Sequence, residues 1–279
     1  MRLTAALVSM AILILPAPRA AQAQRATNAG VNLYSPAKEI ELGRASRAEL
    51  EKSLAIVREP VVNAYLNRLG GELAKHAKGN FFPYSFTLFD DRRAAALSRV
   101  GIPAFPVQAE EGELAEALAV GGGPVFVPLR LMSAIESEAE LAAMLAHAIA
   151  HIALRHPARM ETRRRMNELT ASARPQHPLA EELGRAGLVY FARKLELDAD
   201  ELAVRILAGA GYDPVGLVGF LRAAPRRPRS SDPQILVAHP SPEARIKVVE
   251  GIIRSLPRRG YRASTGQWET IKPLISRLP

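Results

Sequence analysis

The chain has 279 residues, enough for one or two domains with a sizeable core, and its 48% hydrophobic and 23% charged residues are ordinary for a globular protein. With no cysteine it can form no disulfide, thiolate metal site, cysteine nucleophile or lipid-attachment thiol. The net charge of +9 comes with only 5% aromatics and no basic stretch interleaved with stacking residues, so no nucleic-acid partner is expected; a solvated surface or an acidic partner explains the charge.

Residues 1–23 read as a signal peptide. Arg2 supplies the positive start, Leu3 to Leu15 the apolar run, and Ala21-Gln22-Ala23 the small-x-small pattern before a cut at Gln24. That run is too short to span a membrane and is broken by Pro16 and Pro18. No later stretch approaches a membrane span, so the expectation is a mature protein in the periplasm or secreted.

Pro36 to Leu73 has helical spacing in two segments parted near Glu59-Pro60, with Val61, Val62, Tyr65, Leu66 and Leu69 facing a core. Tyr84 to Phe89 alternates and is rich in strand formers, and Asp90-Asp91 closes it. A second strand, Pro124 to Pro128, is entered through Gly121-Gly122-Gly123; prolines at both ends suit an edge strand. Between the strands, residues 98–115 read as an insertion, with an acidic helix-like stretch near Glu110 to Leu118.

The remainder reads as helical. Ser137 with Glu140 fits a capping box, and Leu141, Met144, Leu145, Ile149 and Ile152 mark an apolar side. Pro157 ends or restarts that helix. Arg163-Arg164-Arg165 belongs on a solvated helix face. A long helix is expected from about Leu179 to Gly209, and Asp213-Pro214 opens another. Arg222 to Ser231 is a Pro/Arg loop, Pro242 to Leu256 a last helix, and residues 256–279 a C-terminal tail.

The chemistry concentrates after Ser137. His147-Ala148-Ile149-Ala150-His151 places two imidazoles four residues apart on one helix face, a spacing that lets both rings reach one tetrahedral metal ion. Alone the pair is weak evidence, since one buried and one solvent-facing histidine on a core helix is an ordinary arrangement. Further on, Glu196 and Asp200 are again four apart on a helical pattern. One carboxylate can complete a His, His, Glu site with the fourth position open, and the other can orient a histidine through its second ring nitrogen. Zinc fits such nitrogen and oxygen ligation. The plain alternative for Asp198, Asp200 and Glu201 is a solvated acidic helix face, and Glu201 belongs there.

Glu138 to His156 resembles the active-site helix of the HtpX/BepA-like zinc metallopeptidases, which belong with the CAAX prenyl proteases in peptidase family M48. Glu196-Leu197-Asp198-Ala199-Asp200 resembles the family's E-x-x-A-D motif, which implies Glu196 as a zinc ligand and Asp200 as its support. His239-Pro240 through Arg245-Ile246 is similar to the H-P-x-x-x-x-R-I segment, making His239 a candidate switch or transition-state group; the plain alternative is a histidine packed in the turn before Pro240. Asn32 to Ser35 with Glu39 to Gly43 is similar to the family's N-terminal segment. The resemblance covers residues 32–255 and implies a zincin-like α+β domain, mostly helical, with a small sheet whose edge strand lies beside the metal-binding helix. It also implies one Zn2+ per chain and, as substrates, unfolded or extended envelope polypeptides.

Two positions depart from the family. Its H-E-x-x-H glutamate, the general base, is Ala148 here, and a methyl group transfers no proton. Its N-A-F-A-L-P-G-G-like segment is represented by Glu116 to Gly122, with Glu116 where asparagine is usual. The expectation is a metalloendopeptidase with impaired proteolysis or, alternatively, a pseudopeptidase. Three reasons would leave the ligands without the base: a natural pseudopeptidase that binds metal and peptide without cutting, a deliberate Glu→Ala change made to trap substrate or prevent self-cleavage, or rescue of the base by another carboxylate such as Glu116 or Asp198. A plain helical protein with accidental histidines would hold no metal.

Overall fold

A computed structural model of the chain describes residues 32–79, 82–93, 104–105, 116–172, 178–223 and 240–278. The signal-peptide pattern, His239, most of the 98–115 insertion and the loop after Ala223 lie outside the described residues. Helix α1 (Pro36–Ser53) begins at Ser35, whose hydroxyl accepts from the Lys38 amide, and α2 (Pro60–Ala74) begins at Glu59 with proline in its first turn. Gly70 lets α2 lie on the sheet, because a Cβ there would sit 2.3 Å from the Phe86 ring.

Among the described residues four strands follow: β1 (Ser85–Phe89), β2 (Ala104–Phe105), β3 (Leu118–Val120) and β4 (Pro124–Pro128). Their order in the sheet is β1-β4-β3-β2, with β1 parallel to β4 and the other pairs antiparallel. Gly122 (φ 91°) and Gly123 (φ 130°) turn the chain from β3 into β4 in a backbone region that other residues rarely adopt.

The edge position expected for Pro124 to Pro128 is therefore wrong. This strand lies inside the sheet and is buried along its whole length. The physical reason is in the register: only Val125 and Phe126 pair with β3, so each proline lies beyond the two-sided stretch of the ladder. A missing N–H is tolerated there as it is on an edge. The acidic stretch ending at Leu118 also needs correction at its end, because Leu118 opens β3.

Side chains alternate across the sheet with period two. Leu118, Val120, Phe126 and Phe89 form a cluster with Leu50 and Leu54 of α1, while Ala117, Ala119, Val125 and Val127 face the main core. The outer edge of β1 is closed by side-chain amide bonds: Asn67 donates to the Phe86 carbonyl at 2.7 Å and accepts from the Phe86 amide at 3.0 Å.

Beyond β4 the described residues form helices α3 (Leu129–Ala134), α4 (Glu138–Ala153), α5 (His156–Ser172), α6 (Pro178–Ala210), α7 (Val215–Ala223), α8 (Pro242–Ser255) and α9 (Trp268–Ile275). The fold is thus the expected zincin-like α+β arrangement, with α4 packed between α6, α7 and α2 and against β3. Helix α4 is buried almost throughout, and its alanines permit close approach; a Cβ on Gly216 of α7 would sit 2.4 Å from the Ala139 carbonyl oxygen.

The helix at Pro242 is not the last one. After Leu256 the chain returns to α4: the Ala139 amide donates to the Ala263 carbonyl, and Trp268, Ile271 and Ile275 are buried in the main core. Among the described residues no helix is long and apolar enough to cross a membrane.

Candidate metal centre

Helix α4 owes its start to Ser137, whose hydroxyl accepts from the Glu140 amide at 3.2 Å. Glu140 reaches back to the Glu136 amide, one residue before the cap, at 2.9 Å, a variant of the expected reciprocal box. Its end is set at Arg155, which takes the left-handed conformation (φ 59°). That conformation is unfavourable by about 1–2 kcal/mol for a non-glycine residue. It is held because Arg155 donates to Glu39 at 2.6 Å and to the Tyr34 carbonyl. The N-terminal segment that resembles the family thus anchors the turn that redirects the chain into α5.

Four-residue spacing puts His147 and His151 on one face of α4, and α6 presents Glu196 and Asp200 opposite. All four are buried, none more than 3% exposed. The Nε2 atoms of His147 and His151 are 2.9 Å apart; Glu196 Oε2 is 3.4 Å from His147 Nε2, and Oε1 is 3.8 Å from His151 Nε2. Ligands of a tetrahedral zinc ion stand roughly 3.3–3.4 Å apart. These three edges bracket that value, so His147, His151 and Glu196 fit the donor set of one such ion.

The second ring nitrogens are held from behind. His147 Nδ1 faces Asp200 Oδ1 at 3.1 Å, and His151 Nδ1 faces His156 Nδ1 at 3.1 Å. Such partners fix which ring nitrogen is left for a metal. Asp200 is gripped in turn by Arg245 of α8, whose Nε donates to Oδ2 and Nη2 to Oδ1, both at 2.8 Å.

Arg245 also reaches Glu196 Oε2 at 3.2 Å and donates to Glu116 Oε1 at 2.5 Å. Glu116, just before β3, brings its second oxygen to 3.6 Å from His147 Nε2. Of the carboxylates considered for rescue, Glu116 therefore arrives at the centre. Asp198 does not share the face of Glu196 and Asp200; it is half-buried near Lys194 and Arg159. Glu201 pairs with Arg205 on the exposed side of α6. Ala148 is 2% exposed and packs in the main core. Arg245 and His156 were legible only as parts of the segments that resemble the family; neither carries a sequence mark of its contact with the centre.

The electrostatics follow from burial and pairing. Burial opposes a charge on His147, but Glu116, Asp200 and Glu196 outweigh it and raise its pKa well above the ordinary value. Burial and the neighbouring His147 hold His151 down to about 3. Burial and Glu196 push the Glu116 carboxyl up, yet Arg245 and His147 prevail and hold it below the usual carboxylate range.

Comparison with known families matches residues 60–253 to peptidase family M48. Among curated proteins, the chain is 29% identical over 238 residues to the beta-barrel assembly-enhancing protease of Escherichia coli, covering 79% of this chain and 44% of that protein. It is 30% identical over 227 residues to the putative beta-barrel assembly-enhancing protease of Vibrio cholerae, covering 75% and 43%. A more distant similarity, 26% over 129 residues, reaches the mitochondrial metalloendopeptidase OMA1 of Arabidopsis thaliana, covering 45% and 27%. The chain spans less than half the length of these relatives.

Proposed function

This chain belongs to peptidase family M48, and from that premise we propose that it is an exported zinc metalloendopeptidase domain acting on unfolded or extended envelope polypeptides, with proteolysis impaired at Ala148. The observation that carries the metal reading is the convergence of His147, His151 and Glu196 on one point between α4 and α6. Asp200 and His156 orient the two rings, so the donors need little rearrangement to hold the ion. A zinc ion so held supplies Lewis acidity toward a carbonyl group.

What the chain's own residues do not supply at position 148 is a proton carrier. Ala148 ends in a methyl group, and the loss of a positioned general base lowers rates by about 10²–10⁴. Export is supported by the pattern Arg2, Leu3 to Leu15 and Ala21-Gln22-Ala23. The envelope substrate class is supported by the relatives that are named beta-barrel assembly-enhancing proteases.

A second reading, a metal-containing binder of extended polypeptides that does not cut, is favoured by the apolar packing around Ala148. One experiment separates the two. The cleavage rate of an unfolded protein is measured with zinc-loaded protein and with Ala148→Glu. The expected result is that Ala148→Glu cuts about 10²–10⁴ faster, that a chelator abolishes cutting, and that His147→Ala retains no stoichiometric zinc. Equal rates in both proteins would overturn the role given to Ala148. Zinc binding without cleavage in either would put the binding module first.

A further inference from the structure

Glu116 is out of place for a residue at the end of a loop. It is 7% exposed, lies just ahead of β3, and directs one oxygen to Arg245 and the other to the metal-facing nitrogen of His147. Strand β3 packs against α4, and Ala117 and Ala119 are buried in the main core. The two departures from the family pattern thus adjoin His147: Ala148 follows it on α4 without a carboxylate, and Glu116 brings one toward its Nε2 from just ahead of β3.

Among the described residues, the charges around His147 do not balance one another. Glu116, Glu196 and Asp200 face one cation, Arg245, while His147 and His151 must be neutral to act as ligands. A divalent ion makes the sum zero. Asparagine at 116 with glutamate at 148 would give the same sum, whereas Ala148 with asparagine at 116 would leave one positive charge in excess in a region that solvates charge poorly.

Resting on the zinc reading above, we propose that Glu116 replaces, from the strand side, the carboxylate missing at position 148, and thereby sets the affinity of the centre for a divalent cation. Glu116 is a positioning residue in this sense: it binds Arg245 Nη1, which also reaches Glu196 Oε2, and it adds to the negative charge that the ion meets.

The test is the zinc affinity of the full protein, measured by competition with a chromophoric chelator, for wild type, Glu116→Gln, Glu116→Asn and the double variant Glu116→Asn/Ala148→Glu. Thermal melts followed by circular dichroism accompany each protein. Loss of either neutral variant's carboxylate is expected to weaken zinc binding about 10–100-fold, as removal of a supporting group around a metal does. The double variant is expected to recover at least about tenfold over Glu116→Asn, a gain that a merely structural role for Glu116 would not produce. A folded Glu116→Gln or Glu116→Asn that binds zinc as tightly as wild type overturns the proposal, and so does a folded double variant that recovers nothing. If wild type itself takes up no zinc, the metal reading of the whole centre falls; zinc in wild type with unchanged affinity in the variants removes only the role given to Glu116.

Discussion

Helix α4 carries a buried acidic cluster at each end, and the two are built on opposite plans. At the first turn Glu138, 1% exposed, accepts from Tyr65 Oη at 2.9 Å, Tyr212 Oη at 3.3 Å, Ser264 Oγ at 3.0 Å, Thr265 Oγ1 at 2.8 Å and the Thr265 amide. Every donor is neutral, and together they saturate the carboxylate. At the far end Glu116, Glu196 and Asp200 share one guanidinium and two imidazoles. The first cluster is finished by the protein itself and ties the C-terminal segment to the helix. Among the described residues the second carries more negative than positive charge, as a centre that receives a cation should.

Breaking the second cluster is expected to have the larger effect on stability. Arg245→Ala leaves three buried carboxylates without their common cation, and loss of one partner from such a set destabilises by about 3–5 kcal/mol. Urea unfolding of the metal-free protein measures this. Zinc should recover part of the loss, because the ion supplies positive charge at the same place.

Glu138→Ala is the corresponding break at the first turn. It leaves the Tyr65 and Tyr212 hydroxyls and the Thr265 amide without their acceptor, for an expected loss of about 2–3 kcal/mol. Zinc should recover none of it. A Glu138→Ala protein as stable as wild type, or one rescued by zinc, would erase the distinction between the two ends.

The smallest expected effect is a pH dependence. Burial raises the Glu138 carboxyl, but the Thr265 amide and hydroxyl, Tyr65 and Ser264 outweigh it and hold its pKa below the ordinary value of 4.5. A depressed folded pKa means that the stabilisation is complete above the unfolded value and is lost as pH falls through the folded one. Glu138→Gln should therefore show a shallower fall in stability below about pH 4.5 than wild type, in melts followed across the acid range.

Much of this was legible in the sequence, and what was not has a common cause. The His147 and His151 pair announces itself by helical spacing, as do Glu196 and Asp200, because ligands on one helix face keep a local period. Ser35, Ser137 and the Gly122-Gly123 turn are likewise local signals. Arg245 is one among 37 lysines and arginines, and it meets His147 across 98 residues and Glu116 across 129. No period marks such a contact. The interior place of β4 was hidden because prolines at strand ends look the same whether the missing amide faces solvent or the end of a neighbouring ladder. Helix α9 is short and contains Pro273, so periodicity alone does not mark it. The fold class was readable; the partners that balance the centre were not.

The return of residues 262–275 to the first turn of α4 bears on when the centre comes into being. A chain synthesised from its N-terminus has both histidines in place long before Arg245, Thr265 or Trp268 exists. Until those residues arrive, Glu138 lacks its Ser264 and Thr265 donors and the acids around His147 lack their guanidinium, so neither end of α4 is closed. Contacts this distant in sequence form late and slow the folding of the whole. The donor set thus takes its finished geometry only once these distant contacts have formed, so an incoming cation would meet a folded domain rather than an emerging strand of polypeptide.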